Sequence, residues 1–477
     1  MNKDNYTPLH HAALNGQTTM VELLLTSGSF IEALDKDRNT PLHLAVWKGH
    51  TDAVELLLDK GASIRAINKY HNTSLHLAAW NGHTGMVELL LRSGASIEAR
   101  NQYKMNTSLH LAAQKGHTGI VKLLLGEGAS IGDTNEDSHT PLDLATLSGY
   151  SGTVELLLKR GALMRSLYGP LHLAALNGHT SIVKLLLKRP AFMRPLYGPL
   201  HLAALNGHTS IVKLLLDKGA SIETLNEFGY TPLHVAARSG HADIVGLLLD
   251  RGASMEPMNE NINSPLHLAA ECGQPGVVEL LLDRGASIEA TNEHNNTPLH
   301  LAARGGHAGT LGLLLGKGAS VEAMDDAYNT PLHHAACGGH AGIVGLLLYN
   351  GALIEAMNKH NNTPLHLAAE CGQTGVVELL LDGGASIEAT NEHKNTPLHI
   401  AAKGCQPSVV KILLDRGASI RATNKYGHTP FYLARRSGHI GAVRLFNKNA
   451  TEERVHKNDV LYNKLVARCL ESERTQK

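Results

Sequence analysis

The sequence predicts an all-α repeat solenoid, made of stacked helix-turn-helix repeats with hairpin-like fingers that project to one side. Three observations predict this fold. A phrase of the form TPLHLAA recurs through the chain, glycine follows each predicted helix at a fixed offset, and aromatic residues make up only 4% of the composition. Thin layers of helices packed through leucine and alanine need few rings, and 477 residues are too many for one globular core.

The recurring phrase defines fourteen repeats, whose first positions are Thr7, Thr40, Thr73, Thr107, Thr140, Gly169, Gly198, Thr231, Ser264, Thr297, Thr330, Thr363, Thr396 and Thr429. The step is 33 residues, except for one step of 34 and two of 29. A fixed period of this length is typical of stacked repeats, in which no single repeat can bury its apolar face alone. We therefore assign residues 1–450 to one repeat array.

Each segment of a repeat has a physical reason for its predicted conformation, as in the repeat that starts at Thr40. Threonine is a good N-cap, and the proline after it suits the first helical position. The Leu and Ala residues that follow give the first helix a flat apolar side, and Gly49 ends it in a left-handed conformation. Residues 52–58 form an amphipathic second helix, which Gly61 ends. The polar stretch 66–72, with asparagine at its centre, then forms the finger.

These segments closely resemble the ankyrin repeat, and the resemblance covers residues 1 to about 450. It implies that fingers and first helices line a concave groove, where the partners of ankyrin proteins dock. It also implies that the histidine of TPLH bridges threonine and backbone groups of neighbouring repeats. Twelve histidines occupy that position: His10, His43, His76, His110, His172, His201, His234, His267, His300, His333, His366 and His399.

Thirty histidines raise the hypothesis of a metal site, but the repeat explains most of them. Nine further histidines follow the glycine that ends the first helix, as His50 and His83 do. His360 and His393 fall at equivalent finger tips, about 10 Å apart, which is too far to share one ion. We expect no metal and no cofactor.

Cysteine usage predicts reduced thiols. Equivalent positions in neighbouring repeats should lie about 10 Å apart, beyond the ~7 Å limit for a disulfide. An odd count and the absence of a signal peptide argue against a disulfide framework. The five cysteines are Cys272, Cys337, Cys371, Cys405 and Cys469.

Residues 140–200 contain the two shortened repeats. Segments 164–189 and 193–218 are almost identical and look like a tandem duplication of a 29-residue repeat. The missing residues come from the finger, because the helical parts are intact. Two interpretations stay open: a duplication scar that the fold tolerates, or a hinge that divides the array into two binding halves.

Four substitutions make this region the least regular part of the array. Gly169 and Gly198 replace the capping threonine, and Asp143 replaces the histidine of TPLH. Pro190 stands where glycine normally ends the second helix, although proline cannot adopt a positive φ.

The C-terminal end also departs from the pattern. Phe431, Tyr432 and Arg435 replace the Leu, His and Ala that most repeats bury at these positions, as suits a terminal capping repeat. Residues 451–477 lose the period, but Leu461 and Leu465 belong to an apolar pattern that recurs every four residues. We predict one amphipathic helix there, which covers the last repeat or, alternatively, binds a partner.

Composition argues against several classes of partner. Lys plus Arg and Asp plus Glu each number 43, a balance that disfavours nucleic acid and anionic membranes. No apolar run approaches the ~20 residues of a membrane-spanning helix, so no membrane insertion is expected. The polar start, MNKDNYTPLH, lacks the features of a signal peptide. These features predict a cytoplasmic monomer, with the nucleus left open as a second location.

No motif of a known enzyme class appears. The chain has no GxSxG or HExxH, and its glycines are helix ends at a fixed period rather than a phosphate-binding loop. We therefore expect a non-enzymatic scaffold or adaptor that binds another protein. The alternative is a regulatory ankyrin region of a larger protein, such as a channel or kinase.

The residue directly after LAA, here called the row position, is free to vary and in ankyrin-like proteins faces the groove. In the first seven repeats this position is occupied by Leu14, Trp47, Trp80, Gln114, Leu147, Leu176 and Leu205, which are apolar except for Gln114. In the last seven repeats it is occupied by Arg238, Glu271, Arg304, Cys337, Glu370, Lys403 and Arg436, which are charged except for Cys337.

This asymmetry predicts that the partner docks on the N-terminal half, centred on Trp47 and Trp80. Lys48 and Asn81 follow these residues, and Tyr70 and Tyr103 lie in nearby fingers and add to the aromatic cluster. A contiguous row of exposed aromatic residues is typical of interface hot spots. The alternative is that these side chains only pack against the next finger.

Overall fold

A threonine–histidine pair starts the first helix of most repeats. In the computed structural model, the backbone N–H of His43 donates to Oγ1 of Thr40 (3.4 Å), and the backbone N–H of Thr40 donates to Nδ1 of His43 (3.2 Å). This reciprocal cap satisfies two donors at the helix start that lack helical partners. Gly49 adopts a φ of 81° and ends the same helix, as predicted.

The structure describes residues 5–163, 169–189, 197–256 and 262–448. Contacts divide the chain into Met1–Ser221 and Ile222–Lys477, here called the N-terminal block and the C-terminal block. Pro190 and the predicted helix within 451–477 lie outside the described residues.

In its described part, the N-terminal block contains these helices: α1 (Pro8–Leu14), α2 (Thr18–Thr26), α3 (Pro41–Lys48), α4 (Thr51–Asp59), α5 (Ser74–Asn81), α6 (Thr84–Arg92), α7 (Ser108–Gln114), α8 (Thr118–Gly126), α9 (Pro141–Leu147), α10 (Ser151–Lys159), α11 (Pro170–Leu176), α12 (Thr180–Leu186), α13 (Tyr197–Leu205) and α14 (Thr209–Asp217).

The described part of the C-terminal block contains α15 (Pro232–Ser239), α16 (Ala242–Asp250), α17 (Pro265–Glu271), α18 (Pro275–Asp283), α19 (Pro298–Gly305), α20 (Ala308–Gly316), α21 (Pro331–Gly338), α22 (Ala341–Tyr349), α23 (Pro364–Cys371), α24 (Thr374–Asp382), α25 (Pro397–Lys403), α26 (Pro407–Asp415), α27 (Pro430–Arg436) and a final helix over 440–448. None of the described helices has the length and apolar character that crossing a membrane requires.

The core of each block lies between neighbouring repeats. First helices pack through alanines such as Ala78 and Ala79, and second helices contribute residues such as Val54 and Leu57, all fully buried. Full burial of a side chain such as Leu57 stabilises the fold by about 1.5–3 kcal/mol. Stacking of neighbours thus supplies the stability that one repeat lacks.

The fingers are tight hairpin-like turns joined side by side, and the described residues contain no β-strand. In one finger, the backbone N–H of Asn68 donates to the carbonyl of Asn72 (3.1 Å). Neighbouring fingers are linked by the backbone N–H of Lys69, which donates to the carbonyl of Asp37 (2.8 Å). The Asn68 amide also donates to Oδ1 of Asn39 (3.0 Å). The same ladder recurs at Asn101–Asn72, Asn135–Asn106, Asn292–Asn263, Asn358–Asn329, Asn391–Asn362 and Asn424–Asn395.

The irregular region keeps its helices but loses individual bonds. Gly169 starts α11 with no side-chain cap. At the preceding repeat, the N–H and hydroxyl of Thr140 both donate to Oδ2 of Asp143 (2.8 Å each), so the aspartate preserves the cap. Its other oxygen, Oδ1, is buried and has no hydrogen-bond partner among the described residues. Burial therefore raises the pKa of the Asp143 carboxyl.

The prediction that all cysteines are reduced thiols is wrong for two of them. Cys337 and Cys371 form a disulfide, with Cα atoms 5.5 Å apart. A spacing of about 10 Å is typical of helix axes and does not apply to every pair of side chains on neighbouring helices. These cysteines are 34 residues apart, one residue more than the repeat, and lie at the ends of α21 and α23. Cys272 and Cys405 are free thiols, and Cys469 lies outside the described residues.

Candidate functional site

The row position lies at the end of each first helix, where backbone carbonyls lack helical partners. The next repeat supplies the missing donor: Nε2 of His83 donates to the carbonyl of Trp47 (3.2 Å), and Nε2 of His117 donates to that of Trp80 (3.1 Å). This bond, here called the carbonyl clamp, fixes the backbone and leaves the side chain free. Trp47 and Trp80 accordingly remain 49% and 40% exposed.

Both tryptophans line one groove of about 510 Å³ within the N-terminal block. Tyr70 and Tyr103, from two neighbouring fingers, form part of its wall. Leu44, Leu77 and Leu111 of α3, α5 and α7 add apolar lining, and of these Leu44 and Leu111 are buried. The groove therefore combines an apolar surface with amphipathic rings, the composition of many binding sites.

Lysines surround the rings of the groove. The ammonium of Lys115 lies 3.9 Å from the ring centre of Trp80, and that of Lys48 lies 5.4 Å from the ring centre of Trp47. Lys69 lies 4.8 Å from the ring of Tyr70. These are cation–π distances, so each of these rings has a lysine ammonium beside it at the rim of the groove.

Beneath the groove, His43 and His76 are structural and neutral. Nδ1 of His76 accepts from the backbone N–H of Thr73 (3.2 Å), so the ring proton is on Nε2, which donates to the carbonyl of Asn106 (3.1 Å). Burial lowers the pKa of His43 and His76 to about 4. These histidines therefore connect repeats and carry no charge near neutral pH.

The structure brings some of the predicted site residues together and leaves others apart. Trp47, Tyr70, Trp80, Asn81 and Tyr103 line the groove. The ammonium of Lys48, at the end of α3, reaches the ring of Trp47 from the rim. The remaining predicted residues lie outside the groove lining: Leu14, Gln114, Leu147, Leu176 and Leu205. The repeats of Leu14 and Gln114 have their fingers at 33–39 and 133–139. Neither finger contains a Phe, Tyr or Trp that could form a groove wall as Tyr70 and Tyr103 do.

Sequence reasoning missed Lys115, which lies over the ring of Trp80, and several residues of the groove lining, among them Leu44, Leu77, Leu111 and Asp37. Lys115 is the second residue after LAA, at the same offset as Lys48 and Asn81, and this offset is its signal in the sequence. Leu44 and Leu77 were assigned to the core alone, yet they also line the groove. Asp37, in the first finger, gave no signal beyond its charge.

The described residues contain no group of three histidine, cysteine or acidic side chains placed to hold a metal ion. His360 and His393 instead approach one carboxylate: Nδ1 of His360 lies 3.0 Å and Nε2 of His393 lies 3.5 Å from Oε1 of Glu392.

The row of the C-terminal block is built differently. Nη2 of Arg304 forms an ion pair with Oε1 of Glu271 (2.9 Å), so two neighbouring row residues neutralise each other. The carbonyl clamp is the same, because Nε2 of His340 donates to the carbonyl of Arg304 (2.9 Å).

Family models match most of the chain. The model described as ankyrin repeats (3 copies) matches residues 1–68, 75–167, 109–195, 171–259 and 299–391. Models described as ankyrin repeats (many copies) match residues 48–91, 248–302 and 380–434. No curated protein matches the chain.

Proposed function

The chain belongs to the ankyrin-repeat family, and from this premise we propose that it is a non-enzymatic scaffold or adaptor, which binds a protein partner in the groove around Trp47 and Trp80. Ankyrin repeats are generally protein-interaction modules, which supports the class of function. The site is our inference from the geometry of the N-terminal block.

One observation carries the proposal: the half-exposed indoles of Trp47 and Trp80 line one apolar groove with Tyr70 and Tyr103. Folding does not require aromatic side chains at the row position, because Arg304 occupies it in the C-terminal block under the same carbonyl clamp. Large aromatic residues that remain exposed in a groove are the usual anchors of an interface.

The experiment is a comparison of two double variants of the full chain. Trp47→Ala/Trp80→Ala removes the groove rings, whereas Leu176→Ala/Leu205→Ala trims two row residues outside the groove lining. We expect the tryptophan variant to weaken partner capture by at least about 2 kcal/mol, or about 30-fold in Kd, because the indoles are the anchors. The leucine variant should bind its partner like the parent chain.

Capture is measured by affinity purification with quantitative mass spectrometry, and folding by far-UV circular dichroism and melting. If the tryptophan variant unfolds, the aromatic row is structural. If it stays folded and captures the same partners as the parent, the docking site lies elsewhere.

A further inference from the structure

We propose that the groove takes an acidic segment of the partner protein, whose carboxylates flank an apolar side chain that packs against the two indoles. This inference rests on the proposed function and adds the chemistry of the partner. Charge complementarity and the hydrogen-bonding groups of the groove support it.

The cations at the rim have no carboxylate of their own. Lys48 and Lys115 each lie over an indole, and neither ammonium is within ion-pair distance of a carboxylate in the described residues. Two finger lysines of the N-terminal block differ, since Lys69 pairs with Asp37 and Lys104 pairs with Asp137 (2.6 Å for the second pair). The groove thus has two cations whose charge a partner can still balance.

The carboxylates closest to the groove are already engaged, so they do not favour a basic partner. Asp37 accepts from Lys69. Oδ1 of Asp35 is buried and accepts the backbone N–H groups of Asp37 (2.8 Å) and Asn39 (2.7 Å), so it serves the finger turn. A basic peptide would meet Lys48 and Lys115 without a free anion, and the resulting repulsion would oppose its binding.

The indoles add hydrogen-bond donors without acceptors. Neither Nε1–H of Trp47 nor that of Trp80 donates a hydrogen bond within the described part of the chain. An indole N–H can only donate, so it prefers a carboxylate or carbonyl in the partner. Donors and cations at one groove therefore select a segment rich in acceptors and negative charge.

The lining and the size of the groove explain the apolar part of the segment. The half-exposed indoles of Trp47 and Trp80, with the partly buried Leu77 between them, present apolar surface that no charged side chain would cover favourably. A volume of about 510 Å³ is that of a site for a small ligand, so it accommodates a few side chains rather than a folded domain. An apolar residue would pack against the apolar lining, while the acidic residues on either side of it would pair with the lysines of the rim.

The first test selects, from a random library, peptides of about ten residues that bind the full chain. Peptides that also bind the Trp47→Ala/Trp80→Ala variant are removed. We expect enrichment of Asp and Glu around Leu, Ile or Phe. Both tryptophans of the chain line the groove, so intrinsic fluorescence reports directly whether a tryptophan-free selected peptide occupies it. Enrichment of basic or uncharged peptides, or none at all, overturns the inference.

The second test reverses the charge of the rim. Lys48→Glu/Lys115→Glu should weaken a selected acidic peptide at least about tenfold and reduce the salt dependence of its Kd. The control is Lys122→Glu/Lys213→Glu, which makes the same change of net charge at exposed lysines on α8 and α14. Equal weakening by both variants would show a general effect of net charge and would overturn the inference.

The outcomes separate this inference from the proposed function. If Trp47→Ala/Trp80→Ala loses partner capture but the selected peptides are basic, the docking site is supported. Only the acidic character of the partner segment is then refuted. Self-association of the chain through the groove, seen by analytical ultracentrifugation and abolished by the same variant, would identify a second copy as the occupant and overturn the inference.

Discussion

The N-terminal and C-terminal blocks use the same backbone to present opposite surfaces. Trp47 and Arg304 occupy the same position of their repeats, and a histidine of the following repeat holds the carbonyl of each (3.2 and 2.9 Å). Arg304 pairs with Glu271 of the neighbouring repeat, whereas Trp47 turns an exposed ring toward a groove. The difference shows that the fold determines where the row residues lie. It does not determine whether their side chains are aromatic or charged.

The two rows also differ in their need for a partner. An exposed ion pair such as Arg304–Glu271 is complete and is worth little to stability. Exposed tryptophans lower solubility, and nothing in the scaffold requires them. The scaffold is therefore common to both blocks, whereas the aromatic surface is specific to one of them.

The largest expected effect is acid destabilisation of both blocks, because they share the buried histidines. Burial lowers the pKa of His43, His76 and His110, and of His300 and His333 in the C-terminal block, to about 4. The unfolded value is about 6.5, so the unfolded state binds protons first as pH falls. The stability from these groups is complete above that unfolded pKa and is lost toward pH 4. We expect each to contribute about 1–2 kcal/mol less at pH 5 than at pH 7.5.

Thermal melts at the two pH values, with hydrogen exchange resolved by mass spectrometry, assign this loss to each block. Both blocks should lose protection at pH 5. Acid sensitivity confined to one block would contradict a common scaffold.

The second effect is the removal of one inter-repeat histidine from either block. His76→Ala removes the acceptor for the Thr73 N–H and the donor to the Asn106 carbonyl, and His366→Ala removes the equivalent bonds. Each change leaves buried polar groups unpaired, so we expect a loss of about 2–4 kcal/mol in both blocks. The control is His11→Ala, an exposed histidine on α1, with little effect. Urea unfolding checks the magnitudes, and a large difference between His76→Ala and His366→Ala would break the equivalence of the scaffolds.

The third effect is a gain of stability restricted to the N-terminal block. Burial raises the pKa of Asp143, so its carboxylate opposes folding as pH rises through the folded pKa. Asp143→Asn keeps the shape without the charge, and we expect a gain of about 1 kcal/mol at pH 7.5 that shrinks in acid. Asp59→Asn, at the exposed end of α4, is the control. A loss of stability in Asp143→Asn would mean that the bonds from Thr140 to the carboxylate outweigh the cost of its burial.

The smallest effects concern the rows themselves. Glu271→Ala/Arg304→Ala removes an exposed ion pair, so we expect a loss of at most about 1 kcal/mol and unchanged partner capture. Trp47→Ala/Trp80→Ala should cost stability on the same scale while partner capture falls, because the rings are half exposed. Melting curves of both variants decide this, and strong destabilisation of the tryptophan variant would show that its row belongs to the scaffold.

Features decided within one repeat could be predicted from the sequence. The cap at Thr40, the left-handed Gly49 and the fingers depend on residues close in the chain, and family models confirm the ankyrin repeat itself. The role predicted for the histidine of TPLH, as at His43, is confirmed by its bond to the carbonyl of Asn72 (3.2 Å).

Features decided between repeats were harder to predict. The spacing of equivalent positions did not show that Cys337 and Cys371, one position out of register, come within bonding distance. The asparagine ladder needs two asparagines from neighbouring fingers, and each alone only indicated a turn. The cation over the ring of Trp80 likewise comes from the next repeat, at Lys115. No local sequence pattern specifies the rotamer of that lysine. The docking site itself stays a prediction.

The carbonyl clamp has a consequence for how such a surface can change over generations. Because the clamp binds only a backbone oxygen, it accepts any side chain at the row position, as Trp47, Glu271 and Cys337 show. The donor itself is exchangeable, since Gln373 replaces histidine at Cys337 (2.9 Å). Duplication can therefore copy a repeat together with the residue that forms its carbonyl clamp. Mutation can then change the exposed row residue without disturbing the stacking of the repeats. Single amino-acid substitutions at the row position can therefore give the surface new binding specificities.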